Sequence, residues 1–266
     1  MDGLIPEDSM EKEQLNTDSK IKNVIAVMSG KGGVGKSSVS ALLAASLNKK
    51  GFKVGIMDAD ITGPSIPMMF GVNESLVVRD DKIFPPLTKT GIKIVSVNLL
   101  LPNEDDPVIW RAPILNNTIK QFWSDITWGE LDYLVIDMPP GTGDIAITVL
   151  GMLPLDGIVM VSSPQELAQM VVRKALKMSE AMNVPILGLV ENMSYAICPN
   201  CNEKHEVFGP SKGNELAKAF DIPFIGALPL DPELSQLSDE GNIEAYSRLD
   251  EFNLGEIIDN LLKERQ

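Results

Sequence analysis

Residues 24–38 read VIAVMSGKGGVGKSS, an apolar run followed by a glycine-rich segment and the start of a helix. The run from Val24 to Met28 shows no apolar–polar alternation, which is typical of a strand buried on both faces of a parallel sheet. Residues 37–51 are rich in Ala and Leu and end at Gly51, a pattern that predicts a helix. A strand, a turn and a helix in this order indicate an α/β fold.

The glycines fit a dinucleotide-binding template. Gly30, Gly32 and Gly35 match G-x-G-x-x-G, and Asp58 ends the next predicted strand, where an acidic residue could contact a ribose. A dinucleotide fold, however, places no lysine and hydroxyl pair at the start of the helix. The two residues that follow Gly35 therefore decide between this template and a second one.

The same glycines also fit the P-loop, G-x-x-x-x-G-K-S, over residues 30–37. Lys36 and Ser37 favour the P-loop because a lysine and a hydroxyl in the first helical turn suit terminal phosphates and Mg²⁺. The motif predicts a second apolar strand that ends in an aspartate, and residues 133–137 (YLVID) supply Asp137. We therefore predict a site for ATP and Mg²⁺. The predicted nucleotide-binding residues of this segment are Gly30, Lys31, Gly32, Gly33, Val34, Gly35, Lys36, Ser37 and Ser38.

Further apolar runs alternate with helical patterns along the chain. Such strands, interleaved with helices, predict a doubly wound, mostly parallel sheet with helices on both faces. We expect one P-loop domain over residues 21–266, preceded by a flexible acidic tail over residues 1–20. Three predicted helices are Gln165–Met182, Lys212–Phe220 and Leu254–Lys263, the last packed on the helix layer.

The composition restricts the class of protein. With 23 Lys+Arg against 37 Asp+Glu, the formal net charge is −14, which disfavours binding to nucleic acid or to an anionic membrane surface. No apolar stretch approaches the roughly 20 residues of a membrane span, and the polar N-terminus is unlike a signal peptide. The sequence therefore predicts a cytoplasmic protein.

Two acidic residues follow the second predicted strand. Asp58 and Asp60 lie at the carboxyl end of the predicted strand in residues 53–60 (KVGIMDAD). We therefore expect both at the same sheet edge as the P-loop. Carboxylates at that edge could hold the water shell of Mg²⁺ or orient the attacking water. The alternative is that they cap a turn.

Both cysteines of the chain, Cys198 and Cys201, lie in one C-x-x-C unit. Two thiolates at this spacing can bind one soft metal centre, but an iron–sulfur cluster or a tetrahedral zinc site usually has four ligands. A symmetric dimer would bring two such units together and complete the set. We favour a shared [4Fe–4S] cluster. The alternatives are zinc, with His205 as a further ligand, and a dithiol redox pair; His205 is otherwise expected to be an exposed loop residue.

The stretch KGGVGKS resembles the deviant P-loop of the nitrogenase iron protein and of MinD-type ATPases. The resemblance implies that Lys31 reaches across a dimer interface to the phosphates bound by the partner, so that each nucleotide lies between two subunits. A cation placed there acts on the transferring phosphoryl group as an arginine finger does in other enzymes. We therefore assign catalytic roles to Lys31 and Lys36.

Four stretches in order, GKGGVGKSS, DADITGPS, DMPPGTGD and ENMSYAICPNC, resemble the Mrp (ApbC-like) family of iron–sulfur carrier ATPases. The resemblance covers the chain apart from the tail. It implies a slowly hydrolysing homodimer that receives a bridging [4Fe–4S] cluster from scaffold proteins and passes it to apoprotein clients, with no nucleic acid or membrane partner. It also implies that Asp60 directs the attacking water. The P-loop motif itself assigns Ser37 and Asp137 to Mg²⁺, and comparison with related ATPases adds Asp58. By resemblance, the base is contacted by Asn192, which ends the predicted strand of residues 188–192 (GLVEN), and by Asp231, in the base loop after the last predicted strand. The alternative for Asn192 is a left-handed turn residue.

Two other functions share these motifs. A positioning ATPase of the MinD or ParA type, with structural zinc at the C-x-x-C, would need a basic DNA-binding face or a membrane helix, and residues 254–266 contain only two cations. A nitrogenase-like reductase would use hydrolysis to drive electron transfer from a bridging cluster. That family takes its cysteines from two separate segments, so the single C-x-x-C favours the carrier.

Overall fold

The computed structural model describes residues 12–60, 63, 65–100, 112–164 and 168–265. The strands in these ranges are β1 Lys20–Ser29, β2 Val54–Asp58, β3 Val77–Arg79, β4 Lys82–Phe84, β5 Lys93–Val95, β6 Glu130–Asp137, β7 Gly157–Ser162, β8 Ile186–Ile197, β9 Lys204–His205 and β10 Phe224–Pro229. The helices are α1 Lys36–Lys49, α2 Ile66–Phe70, α3 Ala112–Ser124, α4 Asp144–Met152, α5 Ala168–Ala181, α6 Gly213–Ala219, α7 Pro232–Asp239, α8 Leu249–Phe252 and α9 Leu254–Lys263.

Strand β1 lies in the middle of a parallel sheet whose order is β10-β8-β7-β1-β6-β2-β5. β9 adds an antiparallel pair to β8, and β3 and β4 form a separate hairpin. Chain segments depart from β1 in both directions along the sheet, which is the arrangement of a doubly wound fold. The predicted fold class is confirmed, and the P-loop leaves the central strand at its carboxyl end, where such folds bind ligands.

The two faces of the sheet bury two separate apolar clusters. Side chains of β1 alternate between them: Ile25 and Val27 belong to one cluster, Ala26 and Met28 to the other. Helices α1, α2, α7, α8 and α9 contribute to the first cluster, and α3 to α6 contribute to the second. Because both faces are covered, every residue from Val24 to Met28 is apolar and buried, as expected for a central parallel strand.

Helix α1 follows the P-loop and packs against α9, the last helix of the chain. It begins after Gly35, whose φ of 76° is left-handed, and the chain turns away from it at Gly51, with φ of 90°. Helix α9 packs directly against it, because Gly255 donates its N–H to Ser46 Oγ at 3.0 Å. A Cβ on Gly255 would lie 2.8 Å from the backbone nitrogen of Leu47, so only glycine permits this approach. The predicted packing of the final helix is confirmed.

The described part of the N-terminal segment differs from the expected flexible tail. The N–H of Glu13 donates to the carbonyl oxygen of Met152 at 2.9 Å, and its own carbonyl accepts from the indole of Trp123 at 2.9 Å. Lys12 donates to carbonyl oxygens at the end of α4. Residues 12–19 are therefore attached to the domain by these hydrogen bonds, and Leu15 packs against the second apolar cluster. Residues 1–11 lie outside the described residues.

The observed helix bounds are close to the predicted ones. Helix α6 covers Gly213–Ala219 within the predicted Lys212–Phe220. For the predicted helix Gln165–Met182, the described part is Ala168–Ala181, and residues 165–167 lie outside the described residues. Across the described ranges, the helices are too short or too polar to cross a membrane.

Candidate nucleotide and metal site

The glycine-rich segment forms a backbone cradle between β1 and α1. Gly33 and Gly35 have φ of 80° and 76°, a conformation that side chains rarely adopt. The positions that a Cβ would take on Gly32 and Gly33 have no atom within 4 Å, so this side of the loop is open. An open loop of backbone N–H groups at a helix start fits a polyphosphate.

Lys36 and Asp137, predicted from two separate motifs, form a buried ion pair. Lys36 Nζ lies 2.7 Å from Asp137 Oδ1, and the two side chains are 5% and 0% exposed. Ser37 Oγ donates to Asp137 Oδ2 at 2.7 Å. The structure thus brings together the residues assigned to phosphate and Mg²⁺. A hydroxyl and a carboxylate are hard oxygen ligands of the kind that Mg²⁺ prefers.

Ser40 is a further residue of this site, outside the P-loop motif. Its hydroxyl donates to Asp137 Oδ1 at 2.6 Å and is completely buried. Ser40 follows Ser37 by three residues, so both hydroxyls lie on one face of α1. This spacing could have predicted that Ser40 also faces Asp137. Ser37 and Ser40 together fix both oxygens of the Asp137 carboxylate.

Asp58 is completely buried beside Asp137, its register partner on the neighbouring strand. Its carboxylate accepts backbone N–H bonds from Asp60 at 3.1 Å, Ser65 at 3.1 Å and Ile66 at 3.2 Å. Burial, reinforced by the negative charge of Asp137, raises the pKa of Asp58 to about 8 against the lowering effect of the Ile66 and Asp60 N–H bonds and of the Lys36 charge. Asp58 therefore holds the start of α2 in place next to the predicted Mg²⁺ residues. Its assignment to Mg²⁺ stays a prediction.

Asp60 lies close to the P-loop lysine. One of its oxygens is 3.8 Å from Lys36 Nζ, and the residue is 9% exposed. Residues 61, 62 and 64, which follow in the quoted motif, lie outside the described residues. A carboxylate near the P-loop lysine is in a position to orient water at the phosphates, and this role also stays a prediction.

Lys31 is exposed on the outer side of the loop, and its carbonyl oxygen accepts from Ser29 Oγ at 3.0 Å. This hydrogen bond holds the backbone of the loop at Lys31. The action of Lys31 on a partner subunit stays a prediction.

Asn192 contacts the P-loop itself in this structure. Its side-chain amide donates to the carbonyl oxygen of Val34 at 2.9 Å, and a Cβ on Gly35 would lie 2.1 Å from the same nitrogen. The prediction that the strand ends at Asn192 is wrong, because β8 continues to Ile197. Met193 takes the left-handed conformation with φ of 57°, which redirects the strand without ending it. Purine contact by Asn192 stays a prediction.

Asp231 caps helix α7 at the same sheet edge. It accepts from the N–H of Glu233 at 2.9 Å, from Tyr246 Oη at 2.8 Å and from Arg248 at 3.4 Å. The adjacent Leu230 donates its N–H to the carbonyl oxygen of Tyr195 at 2.7 Å. The predicted base loop is therefore bonded to strand β8 close to the cysteines. The assignment of Asp231 to the base stays a prediction.

The two cysteines form the turn of a hairpin between β8 and β9. The ligand atoms of Cys198, Cys201 and His205 all lie within 4.8 Å of one another. The expectation of a loop position for His205 is wrong, since it lies in β9, although it is exposed as expected. A two-residue return strand carries too little pattern to be predicted.

Hydrogen bonds favour the thiolate form of Cys198. Backbone N–H groups of Asn200 and Cys201 are the largest causes, and they lower the pKa of Cys198 to about 7. Neither cysteine of this chain is in a disulfide. Cys201 is exposed, so a metal centre bound here would be reachable from outside the protein.

Comparison with known proteins identifies the family. Residues 20–264 match the ParA family profile described as NUBPL iron-transfer P-loop NTPase. The chain belongs to this family. Two relatives are named iron–sulfur cluster carrier protein. That of Clostridium perfringens is 48% identical, with 85% of this chain and 82% of the relative covered. That of Methanocaldococcus jannaschii is also 48% identical, with 84% and 78% covered.

Solved structures agree with the family assignment. A nucleotide-binding protein of Archaeoglobus fulgidus, in complex with ADP and with cobalt found in it, is 48% identical with a TM-score of 0.78, and 85% of this chain and 89% of that chain are covered. The cell division ATPase MinD of Pyrococcus furiosus is 22% identical with a TM-score of 0.65, over 90% of this chain and 99% of that chain. At this identity MinD shows a shared fold only.

Proposed function

We propose that this chain is an ATP-binding, slowly hydrolysing carrier that works as a homodimer. In this proposal the dimer binds a bridging [4Fe–4S] cluster and transfers it to apoproteins. The observation that carries the proposal is strand β8, which contacts the P-loop through Asn192 and leads directly into Cys198. One strand thus connects the phosphate cradle to the thiolates. The names of the two relatives and the ADP in the Archaeoglobus protein support the same conclusion.

The nucleotide half of the proposal uses residues that already lie together. The P-loop N–H groups and Lys36 bind the phosphates, and Ser37 and Asp137 hold Mg²⁺, which when bound neutralises phosphate charge. Asp60 orients water, and Lys31 of the second subunit completes the charge at the transferring group. Since one catalytic cation comes from the partner, hydrolysis depends on dimer formation.

The cluster half follows from the number of thiolates. One chain offers two, and a [4Fe–4S] cluster is held by four, so two hairpins related by a twofold axis supply the set. The cluster is the cargo of the protein. Its ligands lie on an exposed turn, which suits a cluster that is handed to an acceptor.

Anaerobic reconstitution tests the proposal. Wild type should bind one cluster per two chains, measured as iron and sulfide, and should activate an apo iron–sulfur enzyme in a transfer assay. Cys198→Ser should lose both properties but keep ADP affinity, because the P-loop does not depend on the thiolates. Equal iron in wild type and Cys198→Ser would show that the cysteines are not the ligands.

A further inference from the structure

The hairpin between β8 and β9 adds a third metal-binding side chain to the two cysteines. Ala196 is the register partner of His205, and side chains alternate between the faces of a strand. Cys198 and His205 therefore lie on the same face as diagonal neighbours, a separation that long side chains bridge. Lys204 lies on the opposite face, where its Nζ is 4.3 Å from the ring centroid of Tyr195.

The turn between β8 and β9 brings Cys201 close to Cys198 and His205. The N–H of Cys198 donates to the carbonyl oxygen of Glu203, and the N–H of Asn202 donates to the carbonyl oxygen of Cys198, both at 2.9 Å. Asn202 has a left-handed φ of 59°, which allows the chain to reverse here. Cys201 is thus held over the face that carries Cys198 and His205, and the three ligand atoms converge within 4.8 Å.

We propose that Cys198, Cys201 and His205 of a single chain form a site for one divalent transition-metal ion, with Zn²⁺ as the ion that these ligands suit best. Two thiolates and an imidazole nitrogen are usual zinc ligands, and two thiolate charges balance the charge of the ion. A fourth position stays open to solvent or to a group from outside the hairpin. The proposal rests on the proposed role of the two cysteines as metal ligands.

This site differs from the bridging cluster in a measurable way. Its ligands all come from one chain, so it fills with one ion per chain and needs no dimer. It also uses the same thiolates as the cluster, so the ion and the cluster exclude each other. Zn²⁺ bound here would protect the cysteines until the cluster replaces it.

Metal titration of the full-length, metal-stripped and reduced protein tests the site. Co²⁺ is the visible probe, and Zn²⁺ affinity is measured by its displacement. Wild type should bind one Co²⁺ per chain with the intense visible bands of tetrahedral thiolate coordination. His205→Ala should weaken Zn²⁺ binding at least about tenfold, because losing even an outer-shell partner of a metal ligand costs about 10–100-fold.

Two further variants control for damage to the hairpin. Glu206→Ala changes the next, exposed residue of the same hairpin and should bind Zn²⁺ as wild type does. His205→Cys replaces the imidazole by a thiolate, another usual zinc ligand, and should bind Zn²⁺ nearly as tightly as wild type. Binding of one ion per two chains, or equal Zn²⁺ affinity in wild type and His205→Ala, would overturn the proposal.

The cluster assay separates this proposal from the carrier function. His205→Ala keeps the four cysteines of a dimer, so it should still bind a full cluster while its Zn²⁺ affinity falls. If His205→Ala binds Zn²⁺ as wild type does and still binds the cluster, only the mononuclear site is wrong. If Cys198→Ser retains the cluster, the carrier proposal fails whatever the Zn²⁺ result.

Discussion

The side-chain amide of Asn192 donates a 2.9 Å hydrogen bond to the carbonyl oxygen of Val34, in the middle of the P-loop. Asn192 is buried, and the same strand continues to Ile197, immediately before Cys198. The strand that leads into the cysteine turn is therefore in direct contact with the P-loop backbone. If the proposed nucleotide and cluster sites influence each other, this contact is where we expect the coupling to run.

We expect Asn192→Ala to lower the free energy of unfolding of the nucleotide-free protein by about 1–3 kcal/mol, because the buried carbonyl of Val34 loses its donor. Chemical denaturation measures this change. Asn200→Ala, in the exposed cysteine turn, is the matched control and should change stability by less than about 0.5 kcal/mol. Equal losses in the two variants would contradict the role of the contact.

We expect Lys36→Ala to abolish measurable ADP and ATP binding, since the phosphates lose their principal side-chain cation. The variant also leaves Asp137 buried without its ion-pair partner, which should cost about 3–5 kcal/mol of stability. Titration calorimetry and denaturation measure the two effects. Lys49→Ala breaks an exposed ion pair with Asp250 and should cost less than about 1 kcal/mol. Unchanged ATP affinity in Lys36→Ala would refute the P-loop assignment.

The sequence was sufficient to predict the central sheet and the main ion pair of the site. The apolar run before Gly30 indicated a strand covered on both faces, and the P-loop motif predicted an aspartate at the end of another strand. Lys36 and Asp137 meet because parallel strands place their carboxyl ends at one edge. These features depend on local pattern and on the geometry of parallel sheets.

Other features depend on tertiary contacts that leave no pattern. The bond from Asn192 to Val34 joins segments far apart in the chain, and the docking of residues 12–19 depends on single long-range hydrogen bonds such as that from Glu13 to Met152. The position of His205 depends on the reversal at Asn202 and on a return strand of two residues. Short-range sequence pattern does not specify such contacts.

We expect Lys31→Ala chains to regain ATPase activity when mixed with Asp60→Asn chains. If Lys31 acts across the interface, a mixed dimer contains one site with both residues intact. Random pairing then gives roughly a quarter of wild-type turnover, because about half of the dimers are mixed and each has one intact site. Each variant alone should be nearly inactive. No recovery, with mixed dimers demonstrated by native mass spectrometry, would place Lys31 in its own subunit's site.

The reactivity of Cys198 should depend on pH. Backbone N–H groups in the turn stabilise its thiolate and lower its pKa to about 7, so alkylation by iodoacetamide should rise with pH and reach half its maximum near that value. The experiment uses metal-free Cys201→Ser protein, in which Cys198 is the remaining cysteine and a hydroxyl replaces the neighbouring thiol.

The control is the same variant unfolded in guanidinium. There the turn is lost, so the pH at which alkylation is half-maximal should rise toward the pKa of a free cysteine, about 8.5. Because the thiolate is the reactive species, alkylation at neutral pH should be faster in the folded protein than in the unfolded one at the same exposure. A midpoint that is the same in both states would show that the turn does not stabilise the thiolate, and that metal binding at this site does not begin from a prepared ligand.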